Sequence, residues 1–234
     1  MNTDTNIPTS YHPGFKLALP HGIAAAVSLP GKPGEISKKV WRALHPEERT
    51  YAGTLKGFKQ MYWVGGRLAL GVACKHLGVE HSPMLSLPSG EVDPPPGMVA
   101  SVSHKRTLAV GMIGFSSGGT LGVDLEDLYP PRLGIASKVL TESEMISVQR
   151  LAPDRRWLAI LLRFSIKESI YKALYPHVNR YVAFTEAEIS LSPNGDAEVR
   201  LDLVNQEGPF KVDARYHWIG DRVLTTARII AQEG

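Results

Sequence analysis

Gly122-Val123-Asp124-Leu125-Glu126 sets two carboxylates two residues apart in a stretch that alternates apolar and other residues. On a strand, Leu121, Val123 and Leu125 face one side, and Asp124 and Glu126 share the other. Like charges that close raise one pKa unless a cation sits between them, and an oxygen-only pair favours a hard ion such as Mg²⁺. An exposed strand end with both acids solvated accounts for the same spacing. Further along, Arg163-Phe164-Ser165-Ile166-Lys167-Glu168-Ser169-Ile170-Tyr171-Lys172 reads as helix, with Glu168 and Lys172 four apart on one face. They form either a surface ion pair worth about 0.3–0.5 kcal/mol, or a third oxygen ligand or general base beside a cation for a phosphate.

The first half of the chain supplies cations. Lys56, Lys59, Trp63 and Arg67 recur at three, four and four, a stripe on a continuous helix that suits phosphates and a base. A solvated face explains Lys56 and Lys59 equally well, and Gly65-Gly66 would turn Arg67 away if it kinks the helix. Ser101-Val102-Ser103-His104 closes an expected strand, with Lys105 and Arg106 beside the imidazole, a set that suits a phosphate or is merely an exposed turn. No acid at revealing spacing argues for a Ser-His-Asp triad.

The elements that must position these residues are legible in outline. Phe15–Leu19 and Gly22–Ser28 read as paired strands, and Glu48–Leu77 as helix with a kink or junction at Gly65-Gly66 and an end at Gly78. Ser82–Gly97, with five prolines, is a surface loop. Val99–Ser103, Thr107–Ile113 and Leu121–Leu125 read as strands, and Ser116-Ser117-Gly118-Gly119 marks a boundary. Beyond it, Thr141-Glu142-Ser143-Glu144 has capping-box spacing, and Asp154 is expected to cap a helix that Pro176 stops. Pro193-Asn194-Gly195 and Gly220-Asp221 mark two hairpins. The chain therefore reads as α+β in two halves, residues 1–118 and 119–234.

Composition narrows the class. At 234 residues, 43% hydrophobic and 21% charged, the chain is globular rather than disordered or coiled coil. Lys plus Arg 26 against Asp plus Glu 23 leaves +3, which tolerates an acidic partner and falls short of a nucleic-acid footprint. The apolar run Trp157–Leu162 is far shorter than the roughly 20 residues a bilayer span requires, so neither a membrane segment nor export is expected. One cysteine, Cys74, fits a reducing cytoplasm and reads as a buried small hydrophobe.

Taken in order, these motifs resemble the 4'-phosphopantetheinyl transferases, in particular the monomeric two-lobed kind that serves siderophore and other nonribosomal or polyketide synthases. The resemblance covers roughly residues 45–190. It rests on Gly66-Arg67-Leu68-Ala69 running to Leu77-Gly78, the proline-rich loop ending at Gly97, Ser101–His104, Gly122–Glu126 and Phe164–Lys172, while Tyr171–Ile189 looks like the enterobactin-synthetase branch. Two departures stand out. The alanine pair usual after the arginine is Leu68-Ala69-Leu70, and the loop's usual tryptophan-proline is Pro94-Pro95-Pro96.

The resemblance implies two similar halves related by pseudo-two-fold symmetry, with the active site at their interface. It implies Mg²⁺ on Asp124, Glu126 and Glu168, coenzyme A contacts from Lys59, Arg67, Ser103, His104 and Lys172, and Glu168 and Lys172 as the catalytic pair. The implied reaction transfers phosphopantetheine from coenzyme A to a serine of an apo acyl or peptidyl carrier protein, by a cytoplasmic monomer. On this reading, replacing Asp124 or Glu168 by alanine abolishes transfer and leaves the fold intact. Exposed Arg132, Lys138 or Arg150 would attract an acidic carrier. The rivals are a metal-dependent phosphodiesterase or nuclease, and a non-catalytic module that binds carrier domains or a nucleotide.

Overall fold

In the computed structural model, which describes residues 10–232, the chain is α+β and forms two units, Met1–Ser117 and Gly118–Gly234. The first opens with the hairpin β1 (His12–Leu19) and β2 (Gly22–Ser28). Three helices follow: α1 (Lys38–Ala43), α2 (Pro46–Thr54) and α3 (Gly57–Leu77). After the proline-rich loop come β3 (Met98–Lys105) and β4 (Leu108–Phe115), which complete an antiparallel sheet of order β1-β2-β4-β3.

The helical region departs from expectation. The junction falls at Leu55–Gly57 rather than at Gly65-Gly66, because Gly57 takes φ +60 there and reverses the chain. The α3 helix runs unbroken through the glycine pair. A methyl group on Gly65 would run into the Leu29 side chain and the Ala109 methyl, so this glycine lets the helix lie close against the sheet. Met61, Val64, Leu70, Ala73 and Cys74 are buried, and α3 ends at Gly78 as the sequence predicts. Fully burying a side chain the size of Leu70 stabilises by about 1.5–3 kcal/mol.

The second unit starts on β5 (Thr120–Asp127), then α4 (Ala136–Val139), α5 (Glu142–Gln149) and α6 (Pro153–Val178). Four strands close it: β6 (Ala187–Leu191), β7 (Asp196–Leu201), β8 (Phe210–Ile219) and β9 (Arg222–Ala231), in the antiparallel order β5-β9-β8-β7-β6. Both expected hairpins form. The Thr141 capping box forms with both bonds in place, its Glu144 carboxylate accepting from the Thr141 N–H at 2.8 Å. For α6 the cap differs: Ala152 precedes Pro153 at the first helical position, and Asp154 lies inside the first turn. Pro176 does not stop the helix. A proline in the last turn forfeits a single hydrogen bond, and α6 continues to Val178 before Asn179 ends it at φ 51. Each unit thus lays one long helix on an antiparallel sheet, and among the described residues no helix is long and apolar enough to cross a membrane.

Candidate active site

On β5 the alternation holds: Gly122, Asp124 and Glu126 share one face, and α6 lies against it. A methyl on Gly122 would overlap the carbonyl oxygen of Ser169, so only glycine permits this approach. The helix presents Ser165, Ser169 and Lys172 on one face at four and three; Ser165 and Lys172 reach the strand, while Ser169 Oγ donates to the Ile166 carbonyl of its own helix at 2.8 Å. Ser165 donates to Asp124 Oδ2 at 2.9 Å, and Thr225 of β9, paired with Asp124 in the sheet, donates to the Ser165 carbonyl at 2.8 Å. Lys172 Nζ donates to Asp124 Oδ1 and to the Val123 carbonyl, both at 2.9 Å. Asp124 is 5% exposed, so its charge is out of water and answered by a cation and a hydroxyl. Lys172 has three N–H groups, and these two bonds leave a third for an anionic oxygen.

Glu126, 3% exposed, turns elsewhere. Its Oε2 pairs with Arg132 Nη2 at 2.7 Å, and that guanidinium lies over the Phe164 ring at 5.5 Å and the Trp157 ring at 5.8 Å. Arg132, Lys138 and Arg150 are all exposed as expected, but Arg132 is already engaged in the pair with Glu126. Glu168 sits on α6 beside a cavity of about 60 Å³ that Tyr171, Tyr181 and Phe184 also line. Lys172 faces Asp124 rather than making the surface pair with Glu168 that the spacing allowed.

Buried carboxylate oxygens are the donor chemistry a hard ion such as Mg²⁺ takes, so the residue types fit. Among the described residues no three His, Cys, Asp or Glu stand together as a metal-holding group; Asp124 meets Lys172 and Ser165, and Glu126 meets Arg132.

In the first unit, a cleft of about 300 Å³ opens between α3 and β3. Lys59, Arg67, Ser103 and His104 all line it, with Tyr62, Trp63 and Ser86, whereas Lys56 precedes α3 and stands outside. His104 is on the strand, not in the turn, and its ring stacks on Tyr62 with centroids 4.1 Å apart and planes 7° from parallel. Ser103, its neighbour, points to the opposite face of β3. Arg67 is 2% exposed and lies 4.5 Å over the Trp63 ring. Three of its five N–H groups are used by the proline-rich loop: Nε–H donates to the Met84 carbonyl, and Nη2 to the Leu85 carbonyl at 2.9 Å and Ser86 Oγ at 3.0 Å. Burial pushes its pKa down to about 10, opposed in part by the negative charge of Glu48.

Sequence reasoning missed the roles of Ser165 and Glu48 and the pairing of Arg132 with Glu126. The i, i+4, i+7 set Ser165, Ser169 and Lys172 was available as a signal. The capping-box bond of Glu48 to His45 is local, but its bonds to His81 and Met84 reach residues distant along the chain that nothing nearby marks.

Residues 120–227, within the second unit, match the model of the 4'-phosphopantetheinyl transferase superfamily. The chain is 29% identical over 155 residues to the 4'-phosphopantetheinyl transferase Svp of Streptomyces mobaraensis, over 64% of this chain and 62% of the relative, so it spans less than two thirds of that protein. Two solved structures are similar to about half of the chain. One is a holo-(acyl-carrier-protein) synthase from Bacillus anthracis in complex with CoA, at 17% identity and TM-score 0.40 over 48% of this chain and 96% of that one. The other is the Thermotoga maritima holo-[acyl-carrier-protein] synthase, at 21% identity and TM-score 0.38 over 49% and 64%.

Proposed function

We propose that the chain is a 4'-phosphopantetheinyl transferase that moves the phosphopantetheine arm of coenzyme A to a serine of an apo acyl or peptidyl carrier protein, releasing adenosine 3',5'-bisphosphate. The observation that supports this most is that the family match falls on the strand and helix joined by the Asp124–Lys172 pair at 2.9 Å. The name of the Streptomyces mobaraensis relative points the same way. A cytoplasmic monomer of the enterobactin-synthetase-like branch, acting in siderophore or antibiotic biosynthesis, is the finer form of the proposal.

In the transfer, the carrier serine Oγ bonds to the phosphopantetheine phosphorus, and the bond from that phosphorus to the bridging diphosphate oxygen breaks. Lys172 places its remaining N–H against a phosphate oxygen and offsets the charge on the departing bisphosphate. Glu168 takes the serine proton. Lys59 and His104 bind the nucleotide end from the cleft, with Trp63 and Tyr62 as aromatic surfaces and Arg67 at the wall.

Asp124, Glu126 and Glu168 would hold Mg²⁺, which when bound neutralises charge on the diphosphate. For this Glu126 must leave Arg132, whose side chain is 43% exposed. The test is incubation with coenzyme A, Mg²⁺ and a panel of apo carriers, read by mass spectrometry. Addition of one phosphopantetheine to a carrier serine is expected. Release of free phosphopantetheine without a carrier, or coenzyme binding with no modification of any carrier, overturns the proposal.

A further inference from the structure

Glu48 lies on α2, does not line the cleft, and is fully buried. Its two oxygens serve different segments. Oε2 accepts the His45 N–H at 3.0 Å and closes the capping box of α2. Oε1 accepts the Met84 N–H at 3.1 Å and faces His81 Nε2 at 3.3 Å. Burial pushes the Glu48 carboxyl up, but hydrogen bonds from His81, His45 and Met84 outweigh it and hold the group below its ordinary value.

Met84, itself fully buried, is thus gripped at both ends of its backbone: Glu48 holds the N–H and Arg67 holds the C=O. The next turn of loop carries this to the cleft wall. Ser86 Oγ accepts from Arg67 Nη2 and from Trp63 Nε1, each at 3.0 Å. The carboxylate also supplies the negative charge that offsets burial of the Arg67 guanidinium.

We propose that Glu48 is a positioning residue for coenzyme A: by fixing the Met84–Ser86 segment it sets the Arg67 guanidinium and the Trp63–Ser86 wall where the ligand needs them. The inference rests on the transferase reading of the cleft. A carboxylate is required, because each oxygen faces an N–H donor. The amide of glutamine would turn its NH₂ toward one of those donors.

Titration calorimetry with coenzyme A alone, on the wild-type chain and Glu48→Gln, tests this. Expected is affinity weaker on the order of tenfold, with the Michaelis constant for coenzyme A raised alike and both kcat and the constant for the carrier unchanged. Hydrogen exchange without ligand should quicken at residues 84–86, not across the unit. His81→Ala removes one donor through a side chain a quarter exposed, and serves if Glu48→Gln does not fold; about threefold weaker binding is expected. Coenzyme affinity equal to wild type in a folded variant, or a uniform rise in exchange, overturns the inference and leaves the transferase reading standing. A wild-type chain that binds no coenzyme A overturns both.

Discussion

Lys172 crosses from α6 to β5 and sets its ammonium 2.9 Å from Asp124 Oδ1, so the cation assigned to the diphosphate also answers a buried carboxylate. Lys172→Ala should therefore show two effects. Turnover should fall by about 10²–10³-fold with coenzyme binding retained in part, and urea unfolding should register a loss of stability as Asp124 loses its partner. Asp124→Ala strands Ser165 and Lys172 together and should cost about 1–3 kcal/mol, against the sequence-based expectation of an intact fold. Wild-type turnover in Lys172→Ala would remove it from the reaction.

Arg132 holds Glu126 through an exposed side chain, and on the proposed reading it would compete with a divalent ion for that carboxylate. In Arg132→Ala, the Mg²⁺ concentration that gives half-maximal transfer should drop severalfold. Chelation should abolish transfer while circular dichroism melting is nearly unchanged, because protein cations already balance Asp124 and Glu126. An unaltered Mg²⁺ requirement in the variant would refute the competition.

Gly122→Ala puts a methyl where the Ser169 carbonyl stands. Separating α6 from β5 should cost roughly 3 kcal/mol, the upper end for overpacking. It also stretches the Asp124–Lys172 and Asp124–Ser165 contacts, so activity should fall with the melting temperature. A variant as stable and active as wild type would show that helix and strand are not so closely apposed.

Glu186 gives the second unit a pH dependence of definite sign. Arg180 holds its carboxyl at about 2, burial pushes the other way, and the Val204 and Ala183 N–H groups add to the lowering. A folded value below the unfolded one stabilises above pH 5 or so, and that contribution disappears as pH falls toward about 2. Chemical denaturation across this window should show a steeper loss in wild type than in Glu186→Gln. Parallel slopes would exclude Glu186 as the source.

The sequence carried the local geometry further than the long-range partners. Alternation alone put Asp124 and Glu126 on one strand face, turn residues located both hairpins, and Thr141-x-x-Glu144 located a helix start, since each depends on neighbours along the chain. Gly65-Gly66 misled because a glycine pair serves a kink and a close packing contact equally well, and only the Leu29 side chain distinguishes them. Pro176 misled for a similar reason, as the cost of one missing bond near a helix end is small. That Glu126 would choose Arg132, or that Glu48 would reach Met84, depends on loops whose path no periodicity encodes.

The β5 strand hydrogen-bonds to β9, the last strand of its sheet in chain order. A nascent polypeptide leaving the ribosome exposes the Asp124 segment well before its pairing partner has been synthesised, whereas the first unit already has all four of its strands. Premature termination shortly before Arg222 would therefore yield a protein that retains every assigned acid yet has no Thr225 to brace them.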